Sequence, residues 1–204
     1  LQNVPPKDWD IATDALPEEV RQLFPDSVYE NSFGTVGVKT PSMDPRLKVI
    51  EVTTFRTEGA YTDKRRPDEV KFVKDIEEDL SRRDFTINAM ALDLADTGAD
   101  LIDPFDGQKD LEKGVIRAVG DAGERFREDA LRLLRVVRFH AQLGFVVEKK
   151  TLAAVKEEHQ LLEHIAKERI HDELVKLIMT PRAGEGIEML RTTGLLKYIL
   201  PELL

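Results

Sequence analysis

Apolar and polar positions follow a period of two early in the chain and a helical period later. In Asp8-Trp9-Asp10-Ile11 the two acids share one face of a predicted strand, and Trp9 and Ile11 take the other. Asp14 as cap, Pro17, Glu18 and Glu19 predict a helix start, and Pro25 closes that helix. Strands are predicted over 27–30, 35–39 and 47–55, with turns at Gly34 and at Asp44-Pro45. Residues 56–71 are polar and irregular, and read as a mobile loop. Residues 75–95 read as mostly helical, with Ser81 or Asp84 as cap. A short strand at 100–103, a turn at 104–107, and a helix followed by a strand over 109–119 come next. From Glu124 apolar residues recur every ~3.6 positions, broken near Gly144, Pro181 and Gly194. The expected class is α+β: a small mixed sheet with helices over 1–118, then an all-helical part over 119–204.

Composition narrows the class. With 204 residues, 41% hydrophobic and 34% charged, the chain suits a globular fold with a core. No apolar run approaches the ~20 residues that span a bilayer, and no basic-then-apolar leader is visible, so no membrane partner is expected. The absence of Cys excludes disulfides and thiolate metal sites and points to a cytoplasmic protein. The net charge of −9 opposes broad nucleic-acid binding, although arginines cluster between Arg117 and Arg138. Leu1 is not a methionine, and the chain stops at Pro201-Glu202-Leu203-Leu204 without a polar tail. Both ends read as cuts through a longer protein.

Three constellations carry chemistry. Two carboxylates on one strand face, Asp8 and Asp10, suit a pair of Mg²⁺ ions, which take one or two carboxylates plus phosphates and water. Asp-x-Asp alone is common, and its ordinary reading is a solvated strand edge. Glu51, between Ile50 and Val52, is either a third ligand or a solvent-facing neighbour of Thr53. On a predicted helix 128–139, Asp129, Arg132, Arg135 and Arg138 recur every three residues. The bland reading is a surface helix whose Glu128–Arg132 and Asp129–Arg132 ion pairs contribute ~0.3–0.5 kcal/mol each. The chemical reading is a base reader: a carboxylate beside a guanidinium matches the amino donor and ring-nitrogen acceptor of cytosine or adenine. It opposes guanine and uracil. The other arginines suit a triphosphate. Third, Arg82-Arg83-Asp84-Phe85-Thr86-Ile87-Asn88 reads as a loop-to-helix junction that favours anions, or simply as a capped helix with a solvated basic pair.

The segments KDWDIATDA, EVTTFR, YTDKRRP, RRDFTINAMA, DPF.G..DLEKGVIRAVG and RFREDALRLLRVVRF occur in this order. Together they resemble the class II tRNA nucleotidyltransferases, meaning the CCA-adding enzymes and their bacterial poly(A) polymerase relatives. The resemblance covers most of residues 5–145 and continues weakly through IAKERIHDELVKLI. It implies a nucleotidyltransferase head over 1–118, and a neck with the start of an RNA-binding body over 119–204. It also implies Asp8 and Asp10 as catalytic metal ligands and Arg83 as a contact to the incoming nucleotide. Asp129, Arg132, Arg135 and Arg138 become nucleotide-binding, in a cleft between head and neck. Residues 56–70 become a loop that helps switch from C to A addition. The implied activity is untemplated transfer of CMP and AMP from CTP and ATP to a tRNA 3′ end, with Mg²⁺.

Three departures qualify this. The family's Gly-Gly…Arg-Asp triphosphate segment would fall before Leu1. The segments that grip tRNA would fall after Leu204. Phe33 stands where many relatives have His. Three alternatives stay open: a poly(A) polymerase, an enzyme adding only A, and a catalytically incomplete RNA-binding fragment. Ala130, where poly(A) polymerases often have Pro, favours the CCA-adding side.

Overall fold

A strand, one short helix and then three β-rich segments open the chain, and that order builds its first sheet. The computed structural model describes Pro6 and residues 9–29, 33–59, 70–94 and 100–204. These form two compact units: described residues up to 80, and those from 81 onward.

In the first unit β1 (Asp10–Thr13), β2 (Ser27–Tyr29), β3 (Thr35–Lys39) and β4 (Val49–Thr54) make a sheet in the order β1-β4-β3-β2. β1 runs parallel to β4, and the other pairs are antiparallel. α1 (Pro17–Leu23) crosses one face, where Val20 buries against Val36, Val38 and Val52 with Ala15 at the rim. The start of α1 corrects the expected Asp14 cap. The Glu19 carboxylate accepts from the Leu16 N–H (2.7 Å), and the Thr13 hydroxyl from the Ala15 N–H (3.1 Å). The strand expected from 47 begins at Val49, because the Asp44 carboxylate accepts from the Arg46 N–H (3.0 Å) and holds a 3₁₀ turn over Pro45–Leu47.

The loop expected over 56–71 is ordered at its base. β5 (Arg56–Glu58) and β6 (Val70–Phe72) pair antiparallel, with Arg56 opposite Phe72. Residues 60–69 of that segment lie outside the described residues. The Arg56 N–H donates to buried Asp79 (3.2 Å) on α2 (Ile76–Ser81), and its guanidinium donates to the Phe33 carbonyl. A side chain at Gly34, with φ +92°, would meet the Phe72 ring at 2.6 Å. The turn and the close approach both require glycine there.

The helix expected over 75–95 is cut short. After α2, Phe85 forms a β-bridge with Ala118, and a 3₁₀ turn follows at Thr86–Asn88. β7 (Ala91–Asp93) then pairs with β8 (Asp100–Ile102). Asp84 provides the physical reason. Its Oδ1 accepts from the Phe85 N–H (2.8 Å) and the Asn88 amide (3.1 Å), a local alternative to helical bonding.

The second unit continues with α3 (Gly107–Lys113), β9 (Val115–Ile116), α4 (Ala122–Glu128), α5 (Leu131–Leu143) and β10 (Val146–Val147). It ends with α6 (Lys149–Glu158), α7 (Lys167–Ile178), α8 (Ala183–Thr192) and α9 (Leu196–Ile199). β10 pairs in parallel with β9, so the last third is helical except for this two-residue strand. The breaks expected at Gly144, Pro181 and Gly194 are present, with positive φ at both glycines. α5 is the central helix. Leu133, Val136, Val137 and Ala141 are fully buried among Phe85, Phe126, Val155 and Leu190, and α7 and α8 pack against it. Among the described residues, no helix is long and apolar enough to cross a membrane. The architecture is α+β with a small mixed sheet, as the sequence pattern predicts.

Candidate active site

The first unit supplies carboxylates. Register places Asp10 beside Glu51, and Glu51 beside Gly37, which puts both acids on one face of the sheet. The next row on that face holds Ala12, Thr53 and Thr35, with the two threonine hydroxyls 3.2 Å apart. The opposite face carries the valine core. Asp10 and Glu51 are both exposed. Burial therefore does not single out Glu51, which lies on Thr53's side of the strand. Its position next to Asp10 is what sequence alone could not show. Asp8 lies outside the described residues, and among the described residues no three acidic or histidine side chains cluster as a metal site. Two adjacent, exposed carboxylates are hard oxygen donors, the kind that Mg²⁺ takes.

The second unit holds the predicted nucleotide residues, with a different local structure from the one expected. The helix predicted over 128–139 is two helices. Asp129 stands on the link between α4 and α5 in extended backbone, φ −135° and ψ 103°. Its Oδ1 accepts from the Leu131 N–H (3.0 Å), which helps the new helix start. The predicted Asp129/Arg132 side-chain pair is not formed. Asp129 instead takes both terminal nitrogens of Arg169 on α7, at 3.3 and 2.9 Å. Arg132 is buried, at 8% exposure, and is no part of a solvated stripe. Its Nη1 donates to the Glu128 carboxylate (2.7 Å) and the Arg125 carbonyl (3.0 Å), and its Nη2 to the Arg82 carbonyl (2.8 Å). Among the described residues, its Nε–H and one Nη2–H are left without a partner.

The remaining arginines are also engaged. Arg135 clamps Asp84 through Nε and Nη2 at 2.7 and 2.6 Å. Arg138 donates from Nε to buried Glu173 on α7 (2.7 Å) and lies 4.1 Å from the Phe139 ring centroid. Half-buried Arg83 donates to the Asn88 carbonyl (3.4 Å). The Arg82–Asn88 segment is thus fastened to α5 at two points, through the Arg82 carbonyl and the Asp84 carboxylate. Asp110 fastens it a third way, accepting from Thr86 (2.8 Å) and from Arg117 Nε (2.8 Å). This hydrogen bond raises the Arg117 pKa above its ordinary value.

The Glu128–Arg132 pair expected of a surface helix is present, whereas sequence reasoning did not assign roles to Arg169 or Asp110. Arg169 lies within a segment that already resembled the family, but its distance from Asp129 in sequence gave no sign of the contact. A cavity in the second unit, between Arg117, Asp121, Arg127, Glu148, Lys150 and Glu157, touches none of the predicted site residues.

Comparisons with known proteins match two family descriptions along the chain. Residues 1–117 match the family described as the Poly A polymerase head domain. Residues 144–204 match the one described as the probable RNA and SrmB-binding site of polymerase A. The CCA-adding enzyme of Ligilactobacillus salivarius is 50% identical over 199 residues, covering 97% of this chain and 47% of that protein. The CCA-adding enzyme of Geobacillus kaustophilus is 49% identical over 193 residues, covering 94% and 46%. The crystal structure of the Bacillus stearothermophilus CCA-adding enzyme in complex with CTP superposes with a TM-score of 0.84 at 43% identity. It covers 96% of this chain and 45% of that one. A tRNA nucleotidyltransferase complexed with a primer tRNA and an incoming ATP analogue gives a TM-score of 0.75 at 29% identity, covering 97% and 55%. The chain spans about half the length of the curated relatives it matches. The chain belongs to the Poly A polymerase head domain family.

Proposed function

We propose that this chain is the nucleotide-transferring part of a CCA-adding enzyme. A tRNA 3′-hydroxyl attacks the α-phosphorus of CTP or ATP, the new phosphodiester forms, and pyrophosphate leaves with the electrons of the broken P–O bond. Residues 1–118 act as the head, and 119–204 as the helical neck and the start of the RNA-binding body. The reaction belongs in the cytoplasm. What carries the reading is half-identity to CCA-adding enzymes over nearly the whole chain, together with the donor and acceptor set of Asp129 and Arg132.

Asp8 and Asp10 hold the divalent metal, Mg²⁺ in this reading, and Glu51 stands next to Asp10 as a further oxygen donor. Bound cations there would favour ionisation of the attacking hydroxyl and neutralise charge on the leaving pyrophosphate. The protein's own contribution is selection. The Asp129 carboxylate accepts from the exocyclic amino group of cytosine or adenine. The unpartnered Nε–H and Nη2–H of Arg132 donate to the adjoining ring nitrogen. Guanine and uracil present an acceptor to the carboxylate and a donor to the guanidinium, which leaves buried polar groups unpaired. Arg83 contacts the incoming nucleotide. Arg135 and Arg138 serve the nucleotide as well, while holding Asp84 and Glu173.

The test is incorporation by the intact protein into tRNA lacking CCA or lacking only the terminal A, with each nucleotide in turn. Addition of C, C and A in order is the expected result. Addition of A alone or of an A tail would move the assignment to the A-adding enzymes or the poly(A) polymerases. Equal affinity for ATP and GTP with Mg²⁺ present would remove the Asp129/Arg132 reader.

A further inference from the structure

Asp129 sits on a link between two helices, so no helical neighbour fixes its side-chain torsions. Two groups do so instead. The Leu131 N–H holds Oδ1 at 3.0 Å, and the Arg169 guanidinium grips both oxygens, Nη1 to Oδ1 at 3.3 Å and Nη2 to Oδ2 at 2.9 Å. Both side chains of the pair are only about one-fifth exposed, 22% for Arg169 and 19% for Asp129. Arg169 extends from a helix that is itself pinned to α5. Ile170 and Leu177 are buried in the shared core, and one turn past Arg169 the buried Glu173 receives Arg138 at 2.7 Å. The grip is therefore a rigid one, with two N–H donors in a plane that matches the carboxylate.

An ionised carboxylate has about four acceptor positions. Leu131 and the two Arg169 nitrogens occupy three of them. The fourth lies on Oδ2, and the carboxylate cannot rotate to present another. We infer that Arg169 is a specificity-determining positioning residue. It acts through Asp129, holding one acceptor in a fixed direction so that an amino group is accepted and a keto oxygen is met by negative charge with no way to turn aside. The inference rests on the proposed role of Asp129. Without Arg169 only the Leu131 N–H holds the carboxylate, through Oδ1, so Oδ2 loses its fixed direction and the penalty against guanine and uracil falls more than the affinity for cytosine and adenine.

The experiment compares Arg169→Gln, Arg169→Lys, Asp129→Ala and the double variant Arg169→Gln/Asp129→Ala in the intact protein. Affinities for CTP, ATP, GTP and UTP are measured with Mg²⁺, alongside thermal unfolding. The expected result is a fall of about tenfold in the ATP-over-GTP and CTP-over-UTP ratios for Arg169→Gln, in line with losing the discrimination of one charge-assisted hydrogen bond. Arg169→Lys, which keeps the charge but not the planar fork, falls in between. The double variant is no less selective than Asp129→Ala, because both changes act on one group. Unchanged ratios in Asp129→Ala overturn the reader itself and this inference with it. Relaxed ratios in Asp129→Ala with unchanged ratios in both Arg169 variants overturn the inference alone. So does an equal weakening of all four nucleotides in Arg169→Gln, and so does additivity in the double variant. If Arg169→Gln does not fold, the ratio in Arg169→Lys decides by the same criterion.

Discussion

A methyl group at residue 107 has nowhere to go. A Cβ there would lie 2.2 Å from the Thr86 carbonyl oxygen and 2.9 Å from the Met90 sulfur. The Asp103 carboxylate meanwhile fixes the backbone by accepting from the N–H groups of Gly107 (2.6 Å) and Gln108 (2.9 Å). Gly107→Ala is therefore expected to destabilise by about 1–3 kcal/mol, as overpacking does, measured by urea unfolding. Gly184→Ala is the control, since nothing lies within 4 Å of its Cβ position and its φ is not positive. It should be neutral, or stabilising by up to about 1 kcal/mol within α8. Asp44 carries a second residue-scale prediction. The hydrogen bond from the Arg46 side chain, and then that from the Arg46 N–H, hold its carboxyl at about 2 instead of 3.8. A folded pKa below the unfolded one means the stabilisation is present above the unfolded value and lost as pH falls through the folded one. The β4-side turn at Pro45–Leu47 should thus loosen between about pH 4 and 2. Asp44→Ser, which keeps an acceptor for the Arg46 N–H but does not titrate, should remove that step from an NMR pH titration of Arg46.

At the scale of elements, α5 and α7 are joined by charge as well as by packing. Arg138 and Glu173 are 12% and 4% exposed, so removing one partner strands the other in the interior. Glu173→Ala should destabilise by about 3–5 kcal/mol, whereas Arg138→Met with Glu173→Leu should come close to neutral, judged by denaturant midpoint. The same pair of variants bears on Arg138 as a nucleotide ligand. If the double variant keeps wild-type affinity for ATP, Arg138 serves the helix pair and not the nucleotide. These links also explain what was legible beforehand. The alternation in β1, β3 and β4 and the glycine breaks at Gly144 and Gly194 could be read because each is a local preference. The break at Asp129 could not, because Ala130, Leu131 and Leu133–Leu134 continue a helical pattern across it. What opens the chain there is Asp129 bonding forward to Leu131 and sideways to Arg169, forty residues on. The shortfall of the helix predicted over 75–95 has a local cause, the Asp84 carboxylate bonding Phe85 and Asn88, and a distant one, the bridge from Phe85 to Ala118, which together outweigh local propensity. The candidate site followed this rule. Residue types and order pointed to the aspartates and arginines, but their partners depend on elements distant in sequence.

For the whole molecule, the two units differ in how much apolar surface they bury, each within itself. The first rests on Val20, Val36, Val38 and Val52, whereas the second holds Phe85, Phe126 and a run of leucines and valines along α5. Small cores open more readily, because local unfolding free energy follows buried apolar contact. Amides of β1 and β4 should therefore exchange with solvent at a lower free energy than those of α5, for instance Leu133 to Val137. The proposed function adds a condition to that difference. A ligand that binds only the folded state stabilises it by about 2.7 kcal/mol at one hundred times its Kd. Mg²⁺ with CTP, held at Asp10, should therefore raise protection at β1 and β4. CTP without a divalent cation should act mainly on the segment from Arg82 to Asn88 and on α5. Asp10→Asn should remove the metal-dependent protection in the first unit while leaving nucleotide-dependent protection around Arg132 in place. Hydrogen exchange read by mass spectrometry separates the two responses peptide by peptide. A wild-type protein whose β1 and β4 amides ignore Mg²⁺ in the presence of CTP would show that the exposed carboxylate pair is a sheet surface and not a metal site.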